Sequence, residues 1–486
     1  MPRPVATLLA ALLFGLVWQQ LFFARAAGVN VLVATALFLA LGWWLRPRTR
    51  RTDLADRWLP AAAVTFAALC AVRADAALLV FDAAASAALA AAWIAALGGA
   101  RITRLDARAL VGELADGIGE LAGRPARLAR SAGGPIAHEV RSRTGRLSRY
   151  AGGAALACPF LLVFSVLFAS ADPVYARRVG DLVDAVHWRE ALRDAGPRAL
   201  LVLLVAWIAA AALSKLARPP LRHTAVGSPG RLSIETAAVL LACVDLLFGA
   251  FVVLQLGYLF GGRDTIDAAG LPYSAYARRG FFELIGCASL VGALLFTLGL
   301  QPRARSRVTA TLGVSLVGLT LIVLVSAWYR LDLYQLAYGW TEPRFYAVAA
   351  IVFLALALLI LGWCVVTDRM RFALQPVAGA ALLIALGVNV IGPSAFVARA
   401  DLERLIDPSG LPSDAQRGID PYYLVSLGDA ALPTLLELLP AVPPAERELL
   451  RTRIRGALGG RARTAEPWEQ LNVDRLRARE ALESLP

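Results

Sequence analysis

The sequence predicts an all-α, polytopic membrane protein of about eleven transmembrane helices, followed by a helical tail. Three observations predict this class. Hydrophobic residues make up 58% of the 486 residues, and the mean hydropathy of +0.62 exceeds what a soluble protein of this length can bury. Apolar runs of about 20 residues recur, the length that crosses about 30 Å of hydrocarbon. Arginine is concentrated in alternate loops between the runs, as in membrane proteins of fixed orientation.

Each apolar run predicts one span, because a helix in lipid pairs all of its backbone groups internally. The first run also resembles a secretory signal, since Arg3 precedes it and Ala24-Arg25-Ala26 mimics a cleavage site. A second run follows within a few residues and leaves no polar mature start, so we expect the first run to be retained. The third run is short. The runs cover residues 5–24, 28–45, 59–73, 76–98, 150–170, 197–214, 234–261, 281–300, 308–328, 345–366 and 374–392.

The charge of the chain predicts its orientation. A formal net charge of +13 would suggest nucleic acid as a partner of a soluble protein, but here the basic residues crowd the loops after even-numbered spans. Those loops are therefore expected in the cytoplasm, with the N-terminus inside, the C-terminus outside and no nucleic acid bound. The excess of Arg over Lys and the abundance of Ala indicate a GC-rich bacterial genome, and we therefore expect the protein in a bacterial cytoplasmic membrane. The basic loops contain Arg46, Arg48, Arg50 and Arg51, then residues 101–149, then Lys215, Arg218, Arg222 and Arg231, then Arg303, Arg305 and Arg307, and finally Arg369 and Arg371.

Four segments follow from this pattern. Residues 1–100 form the N-terminal membrane helices, and residues 101–149 form a basic cytoplasmic segment. Residues 150–392 form the membrane core, and residues 393–486 form an extracytoplasmic, all-helical tail. The basic segment has apolar residues at helical spacing, so it could bind anionic lipids on the leaflet, although a solvated linker helix explains the pattern equally well. No cofactor motif is present, and we expect no cofactor.

Several polar groups lie inside the predicted spans. An ionised side chain at the bilayer centre costs about 2.5–3.5 kcal/mol, so such groups face a cavity or a partner. Asp82, Glu283 and Asn389 lie toward the outer ends of their spans, whereas Asp245 lies near mid-depth. This pattern predicts a polar cavity open to the exterior and lined by spans 4, 7 and 8. Arg279, one turn before Glu283, could instead pair with it locally.

Asp245 is the strongest intramembrane candidate for a functional group, because it has no oppositely charged neighbour within one helical turn. It could bind a proton or a cation. A protonated, hydrogen-bonded Asp in the protein core explains the residue equally well.

The loop of residues 169–196 offers a second kind of chemistry. On a helix, Asp181, Asp184 and His187 would lie within about a third of a turn of one another, as ligands of a metal could. Valine and leucine alternate with them at helical spacing, so an amphipathic helix resting on the membrane explains the same residues. We favour the surface helix, and predict neither a catalytic group nor a metal.

Aromatic residues mark the end of the ninth span. Arg330, Tyr334 and Tyr338 share one helix face, which is typical of the aromatic belt at a membrane interface. Gly339 can end this helix. Arg330 and Arg344 could also bind an anion or dock the tail, but we favour the belt.

The tail has apolar residues at spacings of three and four, and its prolines divide it into short helices. This pattern is typical of helical hairpins similar to solenoid repeats, too few to be robust alone. We expect the tail to pack on the outer loops through Trp468 and the basic run 451–455, and to cap the cavity or bind an envelope protein.

Five segments of the chain carry a family resemblance. They are "ASADPVYARRV", "YARRGFFELIG", "YGWTEPRFYAV", "IDPYYLVSLGDAALPTLLELL" and "LNVDRLRARE", in this order between about Leu156 and Glu480. They resemble the bacterial membrane family catalogued as domain of unknown function 4153/4173. The resemblance implies a many-helix membrane body with a helical C-terminal tail, and it implies no activity, substrate or site residues.

Three functional classes remain from the sequence. An envelope sensor or assembly protein would use the tail to bind a partner, and we favour this class because intramembrane charge is sparse. A proton- or ion-coupled transporter would use the intramembrane acids. A membrane-embedded enzyme would use the 169–196 loop.

Overall fold

The fold is known from a computed structural model that describes residues 3–47, 49, 52–104, 189–217, 233–260, 281–301, 306–409, 411, 420–458 and 467–483. At residues 3, 189–196, 254–260 and 281–283 it describes the backbone alone. The described residues form fifteen α-helices joined by turns, and they contain no strand. The all-α class predicted from the sequence is therefore confirmed.

Ten long apolar helices form the membrane body. They are α1 (Arg3–Phe22), α2 (Val29–Leu45), α3 (Leu59–Val72), α4 (Ala76–Leu97), α5 (Arg189–Leu213), α6 (Ile234–Phe260), α7 (Phe281–Gly299), α8 (Arg307–Tyr338), α9 (Glu342–Val366) and α10 (Leu374–Ile391).

Five shorter helices follow, and we call the segment they form, residues 393–483, the cap. They are α11 (Pro393–Ile406), α12 (Pro421–Ser426), α13 (Leu432–Leu438), α14 (Pro444–Leu458) and α15 (Val473–Glu483). Short 3-10 turns lie at Leu54–Asp56, Ile102–Arg104, Ser214–Ala217, Met370–Phe372, Leu439–Ala441 and Trp468–Gln470.

The helix lengths define a multi-pass membrane protein. Within the described residues, 8 helices are long and apolar enough to cross a membrane. α2 and the apolar part of α7, Leu284–Gly299, are shorter. The span predicted at 150–170 and most of the basic segment 101–149 lie outside the described residues. The number of eleven spans therefore stays a prediction.

Local sequence signals set the boundaries of the longest helix. Ser306 caps the start of α8, because its hydroxyl accepts a hydrogen bond from the Thr309 amide while the Thr309 hydroxyl accepts one from the Ser306 amide. α8 ends at Gly339, whose φ of 76° suits glycine. The end predicted at Gly339 is confirmed.

The membrane helices form two packed groups. α1 to α5 pack together with α10 around buried residues such as Phe66, Trp93 and Ile94. α6 and α7 pack on α8 and α9 around Leu316 and Leu324. α9 also contacts α10, which joins the two groups.

The cap covers one end of the body and shares its core. Leu402, Leu424 and Leu435 of the cap lie in one buried cluster with Leu78 of α4 and Phe345 of α9. A fully buried leucine contributes about 1.5–3 kcal/mol through the hydrophobic effect. The cap is therefore held on the body by apolar packing as well as by the polar contacts described below.

Candidate functional site

A buried carboxyl and a buried amide meet between α4 and α10. Asn389 donates from Nδ2 to Oδ1 of Asp82 over 3.0 Å and to the carbonyl oxygen of Ala385 over 3.0 Å. Asp82 is 0% exposed and Asn389 is 2% exposed. Oδ2 of Asp82 and Oδ1 of Asn389 make no hydrogen bond to any described residue. The structure thus joins two residues that the sequence identified only separately.

A second buried contact joins α4, α9 and α11. The Ser394 amide donates to Oδ1 of Asp75 over 2.9 Å, and the Ser394 hydroxyl contacts the same oxygen. That hydroxyl also lies 2.7 Å from Oε1 of Glu342. Asp75 and Ser394 are both buried, whereas Glu342 is partly exposed. One hydroxyl therefore bridges two carboxyl groups.

The Tyr346 hydroxyl connects the two contacts electrostatically. Tyr346 follows Glu342 by one turn of α9, and its hydroxyl oxygen is buried without a hydrogen bond to any described residue. Asp75, Glu342 and Asp82 all lie close enough to interact with it electrostatically. We call Asp75, Asp82, Glu342, Tyr346, Asn389 and Ser394 the acid cluster.

Arg73 lies beside the acid cluster, but its hydrogen bonds go to a helix end. It donates to the carbonyl oxygens of Asn389 over 2.6 Å and Val390 over 3.0 Å. Its Nη1 also lies 3.8 Å from Oδ1 of Asp474 in the cap. The guanidinium therefore caps the C-terminal carbonyls of α10, where positive charge is favourable.

The cap docks on the end of α8 through charged groups. Arg404 donates to the carbonyl oxygens of Gln335 over 3.1 Å and Ala337 over 2.9 Å. Asp401 accepts a hydrogen bond of 2.7 Å from the Trp340 amide. Burial raises the pKa of Asp401 from 3.8 to about 6, although this hydrogen bond and Arg404 oppose the rise.

The cap also docks on the α3–α4 turn. Asn472 donates from Nδ2 to the carbonyl oxygens of Cys70 over 3.0 Å and Arg73 over 2.7 Å. Oδ2 of Asp474 accepts a hydrogen bond of 3.1 Å from the Ala74 amide. Burial raises the pKa of Asp474, whereas the Ala74 hydrogen bond and Arg73 lower it.

A third docking point lies on the α1–α2 turn. Glu469 pairs with Arg25 at 2.6 Å, and the Val29 amide donates to the carbonyl oxygen of Leu471 over 3.1 Å. Arg475 reaches the carbonyl oxygen of Ala27. The cap thus contacts three separate inter-helix turns of the body.

The docking residues differ from those expected from the sequence. Trp468 is 55% exposed. Arg453 stacks on the Tyr422 ring at 4.0 Å and contacts the Tyr422 hydroxyl, so it packs within the cap. Polar contacts to the body come from α11, from Tyr423 of α12 and from residues 469–475, and most of them reach backbone atoms.

Asp245 lies in the other helix group, on the side of α6 that faces α8. Its carboxylate oxygens are shielded from solvent without a well-formed hydrogen bond among the described residues, and Ser315 of α8 is the hydroxyl that faces them. Leu246 and Leu247 point outward. Asp82 and Asp245 therefore belong to different helix groups. Among the described residues α4 packs on α10 while α6 packs on α8, so the structure does not bring these two acids together, and the cavity lined by spans 4, 7 and 8 stays a prediction.

Arg344 is the predicted anion-binding residue whose partners are clearest. It donates to the carbonyl oxygen of Tyr338 over 3.3 Å, and its guanidinium lies 4.1 Å from the Tyr334 ring centre. The Tyr334 and Tyr338 rings lie 5.0 Å apart, as expected for residues on one helix face. Arg344 therefore serves the end of α8 rather than a free anion site. Arg330 lies half-buried on the same helix.

The remaining predicted residues cannot be placed. Asp181, Asp184, His187 and Arg279 lie outside the described residues, as does the side chain of Glu283. Within the part of the chain that is described, no group of three or more His, Cys, Asp or Glu side chains is arranged to hold a metal ion.

The apolar helix bundle with its docked cap defines a multi-pass, all-α membrane protein. The profile of the family described as Domain of unknown function (DUF4153) matches residues 61–438. The chain belongs to this family, which confirms the resemblance seen in the sequence. The match includes every residue of the acid cluster. No protein with a curated description and no solved structure matches the chain.

Proposed function

We propose that this protein is a non-enzymatic scaffold of the bacterial cytoplasmic membrane, whose cap presents a surface to an envelope protein. The observation that carries the proposal is the docking of the cap at three inter-helix turns through buried or half-buried polar groups. Asp401, Asn472 and Arg475 each contact backbone atoms of a different turn. Several independent anchors fix the orientation of the cap relative to the membrane.

The outward side of the cap supports this role. Tyr422 is 62% exposed, and the Arg453 guanidinium lies over its ring. Tyrosine and arginine are enriched among the residues that dominate binding energy in protein interfaces. Leu449, on the neighbouring helix α14, is also exposed. The Arg asymmetry of the loops favours an extracytoplasmic cap, so the partner would be an envelope protein outside the membrane.

Site-specific photocrosslinking in whole cells tests the proposal. A photoreactive residue at Tyr422 or Leu449 should give the same discrete protein adduct, whereas Leu246 of α6, which is 74% exposed, should give none. The adduct should disappear in the double variant Arg404→Ala/Asn472→Ala, which weakens docking, and persist in Arg399→Ala. Absence of a protein adduct at both cap positions, or an adduct insensitive to the docking variant, would contradict the proposal.

Ion-coupled transport is the second candidate, and the buried contact between Asp82 and Asn389 favours it. Coupled transporters place ionisable groups inside the membrane where helices are interrupted. Here α10 breaks at Gly392, next to the acid cluster. Proteoliposomes with a pH gradient or a Na⁺ gradient would show flux that Asp82→Asn abolishes. The scaffold role instead predicts no flux above that of empty vesicles.

A further inference from the structure

The acid cluster contains more oxygen atoms than hydrogen bonds. Oδ2 of Asp75, Oδ2 of Asp82, Oδ1 of Asn389 and the Tyr346 hydroxyl are all buried without a partner among the described residues. Burying such atoms without a compensating partner is unfavourable, because they lose their hydrogen bonds to water. These unsatisfied atoms indicate that the cluster binds a small ligand through its oxygen atoms.

The two acids with unsatisfied atoms lie at the start of α4 and two turns further along it. Asp75 and Asp82 are seven residues apart, which is about two turns, so they share a face about 10 Å long. Asp75 contacts Ser394 and Asp82 contacts Asn389. Tyr346 interacts with both acids, so its hydroxyl lies beside the face that they share.

The spacing argues against a single metal ion. Hard cations such as Ca²⁺ need six to eight oxygen ligands at about 2.3–2.6 Å. The acids here are spread over two turns, and the described residues provide no group of three metal-ligating side chains. A proton needs only one or two oxygen atoms, so it fits separated carboxyl groups.

The hydrogen-bond arithmetic also requires a proton. Ser394 carries one hydroxyl hydrogen, yet its oxygen contacts both Asp75 and Glu342. If both acids were ionised, one of these contacts would lack a hydrogen. A protonated carboxyl supplies the missing hydrogen by donating to the Ser394 oxygen.

Among the described residues, the one cation hydrogen-bonded to a member of the cluster is Arg73, and it contacts the backbone of Asn389 rather than a side chain of the cluster. The other titratable groups that face it are Cys70 of α3, Arg73 of the α3–α4 turn, Tyr423 of α12 and Asp474 of α15. Arg73 donates its hydrogen bonds to the end of α10. The Tyr423 hydroxyl accepts a hydrogen bond of 2.8 Å from the Glu342 amide.

We propose that the acid cluster is a buried proton-binding site, in which Asp82 and the Asp75–Ser394–Glu342 bridge each hold one exchangeable proton. The site does not depend on which partner the cap binds.

Infrared difference spectroscopy of the full-length protein in lipid nanodiscs tests this site. A change between about pH 5 and about pH 8 brackets the ordinary range of buried carboxyl titration. The wild type should show the carbonyl stretch of protonated carboxyl groups, and Asp82→Asn and Glu342→Gln should each remove a distinct part of it. Glu448→Gln, which changes an exposed acid of the cap, should leave this part unchanged.

Identical difference spectra in the wild type, Asp82→Asn and Glu342→Gln would overturn the site. Tyr346→Phe is a second control, which removes one oxygen atom that makes no hydrogen bond to any described residue, and it should keep the carboxyl band. Neither result depends on the crosslinking that tests the scaffold role.

Discussion

Arg73 occupies the space that a side chain at Gly392 would need. A Cβ built on Gly392 would lie 2.8 Å from Nη1 of Arg73, and the backbone of Gly392 has a φ of 74°. This φ lies in the left-handed region that glycine adopts without a steric penalty. The break between the last membrane helix and the cap therefore depends on a glycine and an arginine that are far apart in sequence.

Gly392→Ala should destabilise the protein. The left-handed backbone costs about 1–2 kcal/mol for a residue with a Cβ, and displacement of Arg73 adds to that cost. Thermal unfolding in detergent would measure the loss. Gly387→Ala is the matched control on α10, because a Cβ there meets nothing within 4 Å. Equal stability of the two variants would contradict the role assigned to Gly392.

Arg404→Ala should loosen the cap. The substitution removes charge-assisted hydrogen bonds to the last carbonyls of α8, each typically worth about 1.5–3 kcal/mol. The result should be faster cleavage of the cap by protease in native membranes. Arg399→Ala is the control on the same helix, since Arg399 forms exposed ion pairs with Glu403 and Glu437. Such exposed pairs contribute about 0–1 kcal/mol, so its cleavage rate should stay near that of the wild type.

Docking of the cap should weaken as the pH rises through the titration of Asp401. Its pKa is raised from 3.8 to about 6 in the folded protein, so the folded state binds the proton more tightly than the unfolded state does. The resulting stabilisation is complete below about pH 4 and is lost as the pH rises through about 6.

Hydrogen exchange of the Trp340 amide between about pH 4 and about pH 7 measures this loss, after correction for the intrinsic pH dependence of exchange. Over this pH range, Asp401→Asn should reduce the change in the free energy of opening at Trp340 by an amount of order 2 kcal/mol. If the pH dependence of Trp340 exchange were the same in Asp401→Asn as in the wild type, it would come from other groups, such as Asp474.

The N-terminus and the cap should lie on opposite sides of the membrane. The Arg asymmetry of the loops predicts that the cap lies outside, and α8 runs from Arg307 to the cap-covered end of the body. Reporter fusions after Arg307 and after Pro486 should therefore report opposite compartments, cytoplasmic and extracytoplasmic. Two cytoplasmic signals would show that the number of spans is wrong.

The isolated cap should not unfold cooperatively. Its buried leucines share a cluster with Leu78, Phe345 and Val388 of the membrane helices, so residues 393–486 alone would expose part of their core. Calorimetry of this fragment should show a broad transition or none. A sharp transition at ordinary protein temperatures would show an independent domain.

The sequence predicts the spans well because the length of an apolar run directly reflects the thickness of the bilayer. α4, predicted at 76–98, spans Ala76–Leu97, and the predicted end of α8 at Gly339 agrees with the structure. These features depend on local chemistry. The contact between Asp82 and Asn389 joins residues 307 positions apart, so no local pattern predicts it.

The residues that complete the acid cluster, Asp75, Glu342 and Ser394, were not predicted from the sequence. Asp75, Glu342 and Ser394 lie at or just outside the ends of predicted spans, where polar residues are common and therefore uninformative. The predicted topology did place these ends on one side of the membrane, which was the available signal. Arg404 had no comparable signal, because its role depends on where α11 crosses the end of α8.

The docking of residues 472–475 on the α3–α4 turn has a consequence for biosynthesis. The Ala74 amide donates its hydrogen bond to the Asp474 carboxylate, which lies 400 positions later in the chain. The ribosome therefore makes every membrane helix before the groups that cover this turn exist. We expect a chain interrupted near residue 470 to insert its helices normally. Its α3–α4 turn would stay uncovered and accessible to proteases that degrade newly made membrane proteins.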